Sequence, residues 1–202
     1  MRVLPFGDRA ILAEYDTLAE TMDAFSSLVA VRPRGVRELV PAARTVLARI
    51  DPALISLRAA EQWLSTTPST HAASDMNASL IISVRYDGPD LAETAEILGM
   101  SAEELISRHS NAEWRCAFIG FAPGFAYLAG PTGLEVPRRA TSRQSVPAGS
   151  VGLAGEFTGI YPRSSPGGWQ LIGTTDAVLW DETREDPSTI APGMTVRFEV
   201  QP

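Results

Sequence analysis

The sequence predicts an α+β protein in two parts, a small α/β domain at residues 1–75 and a β-barrel at residues 76–202. Three observations lead to this prediction. Helix and strand patterns alternate through residues 1–66, whereas short apolar runs between turn residues fill most of residues 80–202. Between them lies a segment rich in Ser, Thr and Ala without apolar periodicity, residues 66–79, which indicates a linker.

The first domain is predicted to be ferredoxin-like. Apolar residues 10–15 predict a strand, and apolar side chains at helical spacing over residues 18–29 predict a helix. Residues 36–40 and 45–50 predict two further strands. The Asp-Pro pair at residues 51–52 predicts the start of a second helix, because an acidic N-cap followed by proline suits a first helical turn. The order strand, helix, strand, strand, helix is typical of ferredoxin-like units.

The second domain is predicted to be a compact β-barrel, because many short strands and frequent turn signals accompany few helices. Residues 80–85 predict its first strand. Asp90 is expected to cap a helix that ends at Gly99, and Ser101 with Glu104 three residues later forms a capping box for another helix. Further strands are predicted at residues 113–121, 177–180 and 195–200, with several more in the Gly- and Pro-rich stretch between residues 118 and 173.

The composition excludes several kinds of chemistry. The 202 residues carry a formal net charge of -7, with 17 arginines and no lysine. Without lysine the chain cannot form a Walker A loop or a lysine Schiff base, so an anion would be held by arginine, backbone N–H groups or helix N-termini. An acidic chain without a basic run is not expected to bind nucleic acid.

The few cysteines and histidines make a soft metal site unexpected. The single cysteine, Cys116, rules out an intrachain disulfide and a multi-cysteine zinc site, and its apolar neighbours predict a buried, inert thiol. His71 lies in the predicted linker, where a solvated imidazole is expected. No apolar run is long enough to span a bilayer and no apolar leader is present, so we expect a cytoplasmic protein without a membrane partner.

The stretch between residues 118 and 173 holds most of the candidate ligand-binding residues. A Pro-Gly turn lies between aromatic residues and could present backbone N–H groups beside a ring-lined pocket. A second segment offers guanidinium groups that suit a carboxylate or a phosphate. A third combines an arginine, hydroxyls, two glycines and aromatic rings. The candidates are Phe121, Pro123, Gly124, Phe125, Arg138, Arg139, Arg143, Tyr161, Arg163, Gly167, Gly168 and Trp169.

Two alternatives stay open for these candidates. The glycines favour a purely structural role at turns of the barrel. The arginines could line a pocket or form a solvated rim. His109, at a predicted helix end, could be a charged imidazole that stabilises the helix C-terminus or a general acid–base group.

Three segments, in order, carry a family resemblance. They read FIGFAPGFAYL, VPRRATSRQSVPAGSV and TGIYPRSSPGGWQLIG, and GDRAILAEY and VRYDGPDL extend the likeness toward the N-terminus. Together they closely resemble the KipI/PxpB family, also called allophanate hydrolase subunit 1. The resemblance implies a small N-terminal α/β domain and a C-terminal cyclophilin-like β-barrel.

The resemblance also implies a function and partners. Members pair with a KipA/PxpC-type subunit (allophanate hydrolase subunit 2) and, with a PxpA-type subunit, form an ATP-dependent 5-oxoprolinase that opens 5-oxoproline to glutamate. ATP is then a co-substrate of the complex. In this function His109 and Arg163 are the expected catalytic residues and the remaining candidates bind substrate. The chain alone is expected to have little activity.

Two other functions are compatible with the resemblance. One is a regulatory module that inhibits a sensor histidine kinase, and the other is a subunit in urea or allophanate metabolism. Three positions differ from what the resemblance leads us to expect. Phe157 stands where Gln is common, Thr174 where Arg is common, and Met194 where an acid is common.

Overall fold

The computed structural model describes residues 1–69 and 79–201. The chain divides into two compact units, Met1–Asp75 and Met76–Pro202, and each has its own apolar core. Most of the predicted linker, including His71, lies outside the described residues. That the units are independently folding domains stays a prediction.

The first unit is a four-stranded antiparallel sheet with two helices. Its strand order is β1-β2-β4-β3, which is the ferredoxin-like order with β1 at the edge where a strand after the second helix normally lies. The sequence did not predict β1, because a half-exposed strand of four residues has too short an apolar pattern. The elements are β1 (Arg2–Pro5), β2 (Ala10–Glu14), α1 (Leu18–Ala30), β3 (Val36–Pro41), β4 (Thr45–Ile50) and α2 (Leu57–Thr66).

The predicted helix start at Asp51 is wrong. Helix α2 begins at Leu57, after Ser56, whose side chain accepts a hydrogen bond from the backbone N–H of Ala59. The carboxylate of Asp51 instead forms an ion pair with Arg37 and accepts the N–H at position 53. An aspartate can close such a turn as readily as it caps a helix, and the sequence alone did not separate the two outcomes.

The second unit is a seven-stranded, nearly closed barrel with strand order β12-β9-β10-β7-β6-β13-β5. A bridge between Arg85 and Thr174 brings the two outer strands together. Strands β8 and β11 form a separate two-stranded ribbon. The elements are β5 (Ser79–Val84), α3 (Leu91–Leu98), α4 (Ala102–Asn111), β6 (Trp114–Ile119), β7 (Ala126–Ala129), β8 (Arg143–Val146), β9 (Ser150–Ala154), β10 (Phe157–Ile160), β11 (Ser165–Gly167), β12 (Gln170–Thr174) and β13 (Thr195–Val200).

The predicted fold class, an α+β protein with a cyclophilin-like barrel, is therefore confirmed. One predicted strand is wrong. Residues 177–180 form no ladder, and only an isolated bridge joins Trp180 to Ser188. The segment is held by a hydrogen bond from the N–H of Thr189 to the carbonyl of Leu179, 3.0 Å long, so its apolar residues lie in an irregular loop.

The helix ends of the second unit follow their capping residues. Ser101 accepts the N–H of Glu104 at 3.2 Å, and Gly99 ends α3 in the left-handed conformation, as predicted. Asp90 occupies the N-cap position of α3, but its side chain caps nothing there. Within the described part of the chain, no helix is both long and apolar enough to cross a bilayer.

Candidate functional site

An aromatic pocket of about 390 Å³ lies in the second unit. The ring of Phe125 belongs to its wall and makes edge-to-face contacts with four other rings at centroid distances between 5.1 and 5.4 Å. This geometry is the favourable one for aromatic pairs, so the walls are rigid and apolar. The aromatic lining residues are Phe121, Phe125, Tyr127, Phe157, Tyr161 and Trp169.

Phe121 forms the rim of the pocket in a strained conformation. Its φ of 68° is the one positive value at a non-glycine position in the described chain, and 61% of the residue is exposed. The N–H of Ala122 donates to the carbonyl of Gly120 at 2.8 Å, which makes Phe121 the central residue of a γ-turn. Turns of this hand are rare and strained, and such strain is found preferentially at functional sites.

Pro123 and Gly124 are the central residues of the next turn, in which the N–H of Phe125 donates to the carbonyl of Ala122 at 3.0 Å, and they do not line the pocket. Gly124 has a φ of 78°, and a Cβ there would lie 2.9 Å from the carbonyl oxygen of Leu179. A larger residue would therefore push the turn away from the loop behind it. For Gly124 the structural alternative is the better explanation.

Arg138 is the one charged side chain among the described residues that line the pocket. It lies near the hydroxyls of Tyr127 and Tyr161. Burial raises the pKa of both phenols, and the positive charge of Arg138 acts in the opposite direction. The backbone N–H of Trp169 also donates toward the oxygen of Tyr161. The pocket thus has an apolar wall and one positively charged, hydrogen-bonding end.

Arg139 and Arg143 do not line the pocket. One guanidinium nitrogen of each donates to the same oxygen of Asp90 at 2.7 Å, and Asp90 is only 2% exposed. The second oxygen of Asp90 accepts the N–H of Leu171, also at 2.7 Å. These two arginines and Asp90 thus form an ion cluster around one buried carboxylate, an arrangement that neither sequence alternative anticipated. Anion binding by them stays a prediction, and Nε of Arg139 and Nη1 of Arg143 are buried without a hydrogen-bond partner among the described residues.

The remaining candidates also divide into residues that line the pocket and residues that do not. Gly167 lines the pocket, and a Cβ there would lie 2.3 Å from the hydroxyl of Tyr161, so only glycine fits. Gly168 lies beside the pocket, where its carbonyl accepts the N–H of Arg139 at 2.8 Å. Arg163 is exposed and lies outside the pocket lining. Its catalytic role stays a prediction.

His109 lies in the barrel core with no exposed surface. Its Nδ1 is 2.8 Å from the hydroxyl of Tyr86, and its Nε2 is 2.8 Å from Oγ1 of Thr158. Because the Thr158 hydroxyl donates to the carbonyl of Gly152, it accepts from His109. This assigns the proton of the neutral imidazole to Nε2 and makes Nδ1 the acceptor of the Tyr86 hydroxyl proton.

Burial lowers the pKa of His109 to about 3, so the imidazole is neutral near pH 7. The alternative of a charged imidazole at the helix end is therefore wrong. The ring stacks on Phe198 at a centroid distance of 4.5 Å, with Trp114 on another side. A group without accessible surface cannot touch a substrate in this conformation. Catalysis by His109 stays a prediction that requires the core around it to open.

Several lining residues were not among the sequence candidates. Tyr127 follows Phe125 by two residues, and alternate residues of an extended chain share a face, so this spacing could have revealed it. The ring of Phe157 lies edge-to-face with that of Tyr127, 5.6 Å between centroids. The lining residues absent from the prediction are Tyr127, Val136, Pro137, Ala154, Gly155 and Phe157.

Of the three unexpected residue types, only Phe157 lines the pocket. The hydroxyl of Thr174 donates to Asp87 at 2.8 Å, at the closure of the barrel. The sulfur of Met194 accepts the N–H of Ala191 in the turn before β13. The departure at position 157 therefore makes the pocket wall more apolar than the resemblance implied, whereas the other two lie elsewhere.

Cys116 has the predicted environment. It is buried as predicted, and burial raises the pKa of its thiol to about 12, so an inert side chain stays the prediction. Across residues 1–69 and 79–201 no group of three or more His, Cys, Asp or Glu side chains is arranged to hold a metal ion.

The chain has recognisable relatives. Residues 1–190 match the family described as carboxyltransferase domain, subdomain C and D. The B subunit of 5-oxoprolinase from Escherichia coli O157:H7 is 42% identical over 161 residues, which cover 78% of this chain and 73% of that protein. The protein of the same name from Haemophilus influenzae is 49% identical over 115 residues, 56% of this chain and 54% of that protein.

Solved structures show the same fold. The crystal structure of TTHA0988 superposes with a TM-score of 0.78 and 34% identity over 96% of this chain, although this chain spans only 40% of that one. The urea carboxylase of Kluyveromyces lactis shares the fold at 17% identity and a TM-score of 0.77, over 22% of its length. The chain therefore belongs to the carboxyltransferase subdomain C and D family and, as its three motifs predicted, to the KipI/PxpB proteins within it.

Proposed function

We propose that this chain is a subunit of a multi-subunit, ATP-dependent amidohydrolase whose substrate is 5-oxoproline. One observation carries the proposal. In a chain whose bacterial relatives are named as the B subunit of 5-oxoprolinase, an aromatic pocket contains a single guanidinium group, that of Arg138. This combination suits a small ring that carries one carboxylate.

The proposed reaction needs ATP because a lactam carbonyl is a poor electrophile. Transfer of the γ-phosphoryl group to the lactam oxygen releases ADP and activates the ring carbon. Water then adds to that carbon, the C–N bond breaks to give an acyl phosphate, and a second water releases phosphate and glutamate. ATP is thus a co-substrate of the complex in this proposal, and which subunit binds it is a separate matter.

Arg138 and the rings have distinct roles in the proposal. The guanidinium group binds the substrate carboxylate through paired hydrogen bonds. The rings of Phe125 and Trp169 enclose the lactam and exclude water. Phe121 covers the ring from the rim. Catalytic roles for Arg163 and His109 remain predictions.

The pocket by itself supports binding better than chemistry. Among its described lining residues there is no Asp, Glu or His, and burial raises the pKa of Tyr127 and Tyr161, so neither phenol is suited to act as a base near pH 7. A general base would have to come from elsewhere. This supports the proposal that a KipA/PxpC-type subunit, together with a PxpA-type subunit, completes the site and that the chain alone has little activity.

Reconstitution tests this function. The purified chain is mixed with its KipA/PxpC-type and PxpA-type subunits, and glutamate formation from 5-oxoproline and ATP is followed. We expect glutamate only when all components are present. The partners are shown to be competent by replacing this chain with its Escherichia coli relative. If that mixture is active and the mixture with this chain is not, the proposed function is wrong.

The same mixture separates the two alternative functions. Turnover of urea or allophanate instead of 5-oxoproline would assign the chain to that metabolism. Inhibition of a sensor kinase without turnover of any amide would assign it to regulation. Neither outcome is favoured by a feature of the pocket. A cytoplasmic location stays a prediction.

A further inference from the structure

The four-stranded sheet of the first unit has an apolar row on the face that is turned away from its helices. Alternate residues of a strand point to opposite faces of the sheet. The residues that point to the helices form the core of this unit, and among them are Ile11, Ala13, Val46 and Ala48. On the opposite face, each strand contributes one large aliphatic side chain to a single row across the sheet, in the order Leu4, Leu12, Leu47 and Val40.

This row remains accessible to solvent. Val40 is 37% exposed, and the three leucines are partly buried. Phe6 directly follows β1, continues the alternation onto the same face and is 57% exposed. Among the residues that the structure describes, neither apolar core includes any of these five side chains. Contiguous exposed apolar side chains on one face indicate a surface that another protein covers.

Two ion pairs border the row, one on each side. Arg2 pairs with Glu14 at 2.6 Å, and Arg49 pairs with Glu38 at 2.8 Å. These four charges sum to zero, although the chain as a whole carries a formal net charge of -7. Two copies of an acidic chain repel each other, and a neutral apolar face allows them to approach with the least repulsion.

The outermost opposite charges of this face lie at diagonal corners. Arg2 is in the edge strand β1, two residues to one side of the apolar row, and Glu38 is in the other edge strand β3, two residues to the other side. Three strand spacings of about 4.8 Å and four residue rises of about 3.3 Å give sides of about 14 and 13 Å, so the four corners form nearly a square.

A square face with these corners is complementary to itself. Sheets commonly pack with their strands crossed at about 90°. A two-fold axis that relates two copies crossed in this way exchanges the two charged corners, so each Arg2 meets the Glu38 of the other copy. Phe6 lies at a corner on that axis and meets its own counterpart. The other diagonal axis would bring like charges together.

We propose that this face binds the same face of a second copy of the chain, with the strands crossed and with reciprocal ion pairs between Arg2 and Glu38 at two corners. The occupant is a second copy because the face is neutral and because its opposite charges lie where two-fold symmetry pairs them. The inference does not depend on the proposed function, since the face belongs to the first unit and the aromatic pocket to the second.

Sedimentation velocity over a range of concentrations tests the inference on the full chain, and we expect a reversible dimer. The double variant Leu12→Thr, Leu47→Thr keeps residues that suit a strand but removes the centre of the apolar row. It should raise the dissociation constant of the dimer at least about tenfold. Ile81→Thr is the matched control, because it removes an exposed aliphatic side chain from the second unit. Circular dichroism shows whether each variant is folded.

Charge reversals test the crossed arrangement and leave the apolar row intact. Arg2→Glu and Glu38→Arg should each raise the dissociation constant by about tenfold, because each places like charges at both corners. An equal mixture of the two variants should dimerise more tightly than either variant alone, since opposite charges then meet at both corners. Arg58→Glu, at an exposed position of α2 on the helix side of the sheet, is the control and should leave the dimer unchanged.

Four results would overturn the inference. They are a monomer at every concentration, a dimer that no variant of the face weakens, a mixture of the charge variants that is no tighter than the variants alone, and variants that lose another subunit of the complex but keep the dimer. Glutamate formation by the reconstituted complex is a separate measurement, so its absence would contradict the proposed function and not the dimer.

Discussion

Three arginines within six residues of the chain have two different environments. Arg138 is exposed and lines the aromatic pocket, whereas Arg139 and Arg143 are partly buried and share the carboxylate of Asp90. Arg138 and Arg139 are neighbours in the chain, but only Arg138 lines the pocket. The difference shows that a count of basic residues does not locate an anion site. In the proposed function the anion binds at Arg138, which lines the pocket and forms no ion pair among the described contacts.

The two environments also suggest different contributions, with the Asp90 cluster important for stability and Arg138 for ligand binding. The carboxylate of Asp90 is buried and is shared by two partly buried guanidinium groups, so its removal would leave both of them without that partner. Arg138 is exposed to water, and in the proposed function it exchanges that water for the ligand carboxylate. Damage to the cluster should therefore unfold the barrel, and damage to Arg138 should affect only the ligand.

The largest expected effect is at Asp90. Asp90→Ala leaves two guanidinium groups and the N–H of Leu171 without their shared acceptor, and we expect a loss of about 3–5 kcal/mol in the free energy of unfolding. The midpoint of urea denaturation measures it. The matched control is Asp176→Ala, which removes an exposed partner of Arg85 and should shift the midpoint far less. Equal stability of the two variants would show that the cluster does not hold the barrel together.

The second effect is a dependence of the free energy of unfolding on pH. It arises from His109, which, like Asp90, is buried and outside the pocket lining. Its pKa is about 3 in the folded protein and about 6.5 when unfolded, so between these values the unfolded chain binds the extra proton. The stabilisation is complete above pH 6.5 and is lost as pH falls, by up to about 1.4 kcal/mol per pH unit, or roughly 2–3 kcal/mol near pH 4.5.

Urea unfolding at a series of pH values measures this dependence. The variant His109→Gln is expected to be less stable near pH 7, but its stability should fall less steeply between pH 6.5 and 4.5, because it lacks the titrating group. The two proteins are compared by the slope of the free energy of unfolding against pH and not by its value at one pH. Identical slopes for variant and parent would mean that other groups cause the acid sensitivity.

The third effect is expected on activity and not on stability, which is the opposite of the first. Arg138→Gln should lower kcat/KM of the reconstituted complex for 5-oxoproline by about 10- to 100-fold, through the loss of a charge-assisted contact. Its free energy of unfolding should stay within about 0.5 kcal/mol of the parent, since the side chain is exposed. Arg139→Gln should show the opposite balance, with reduced stability. If both variants lose activity and stability together, the pocket and the Asp90 cluster are not separate in function.

The smallest effect concerns the strained rim. Phe121→Gly and Phe121→Ala both remove the ring, but glycine adopts the positive φ of 68° without strain. We expect the glycine variant to be more stable than the alanine variant by about 1 kcal/mol. Both variants should bind 5-oxoproline more weakly than the parent. Chemical denaturation measures the stability, and a titration with 5-oxoproline followed by the fluorescence of Trp169 measures the binding. A more stable alanine variant would show that the γ-turn stores no strain.

The sequence by itself determined the features that depend on neighbouring residues. Apolar spacing and capping residues predicted the α+β class, the strands around the first helix and the ends of α3 and α4. The aromatic turn at 121–125 and the buried Cys116 were also predicted. Failures arose where one local pattern suits two structures, as at Asp51, where the turn prevailed over the helix, and at residues 177–180, where apolar residues form a loop.

Only the tertiary structure decided the roles of the charged and polar candidates. Asp90 meets Arg139 and Arg143 across 49 and 53 residues of the chain, and His109 meets Thr158 across 49. Such contacts leave no periodicity in the sequence, because they depend on how the barrel closes. A side chain's hydration, its pKa and its free hydrogen-bonding capacity follow from those contacts. For this reason the sequence identified the segment that carries the pocket, but the fold alone selected Arg138 from it.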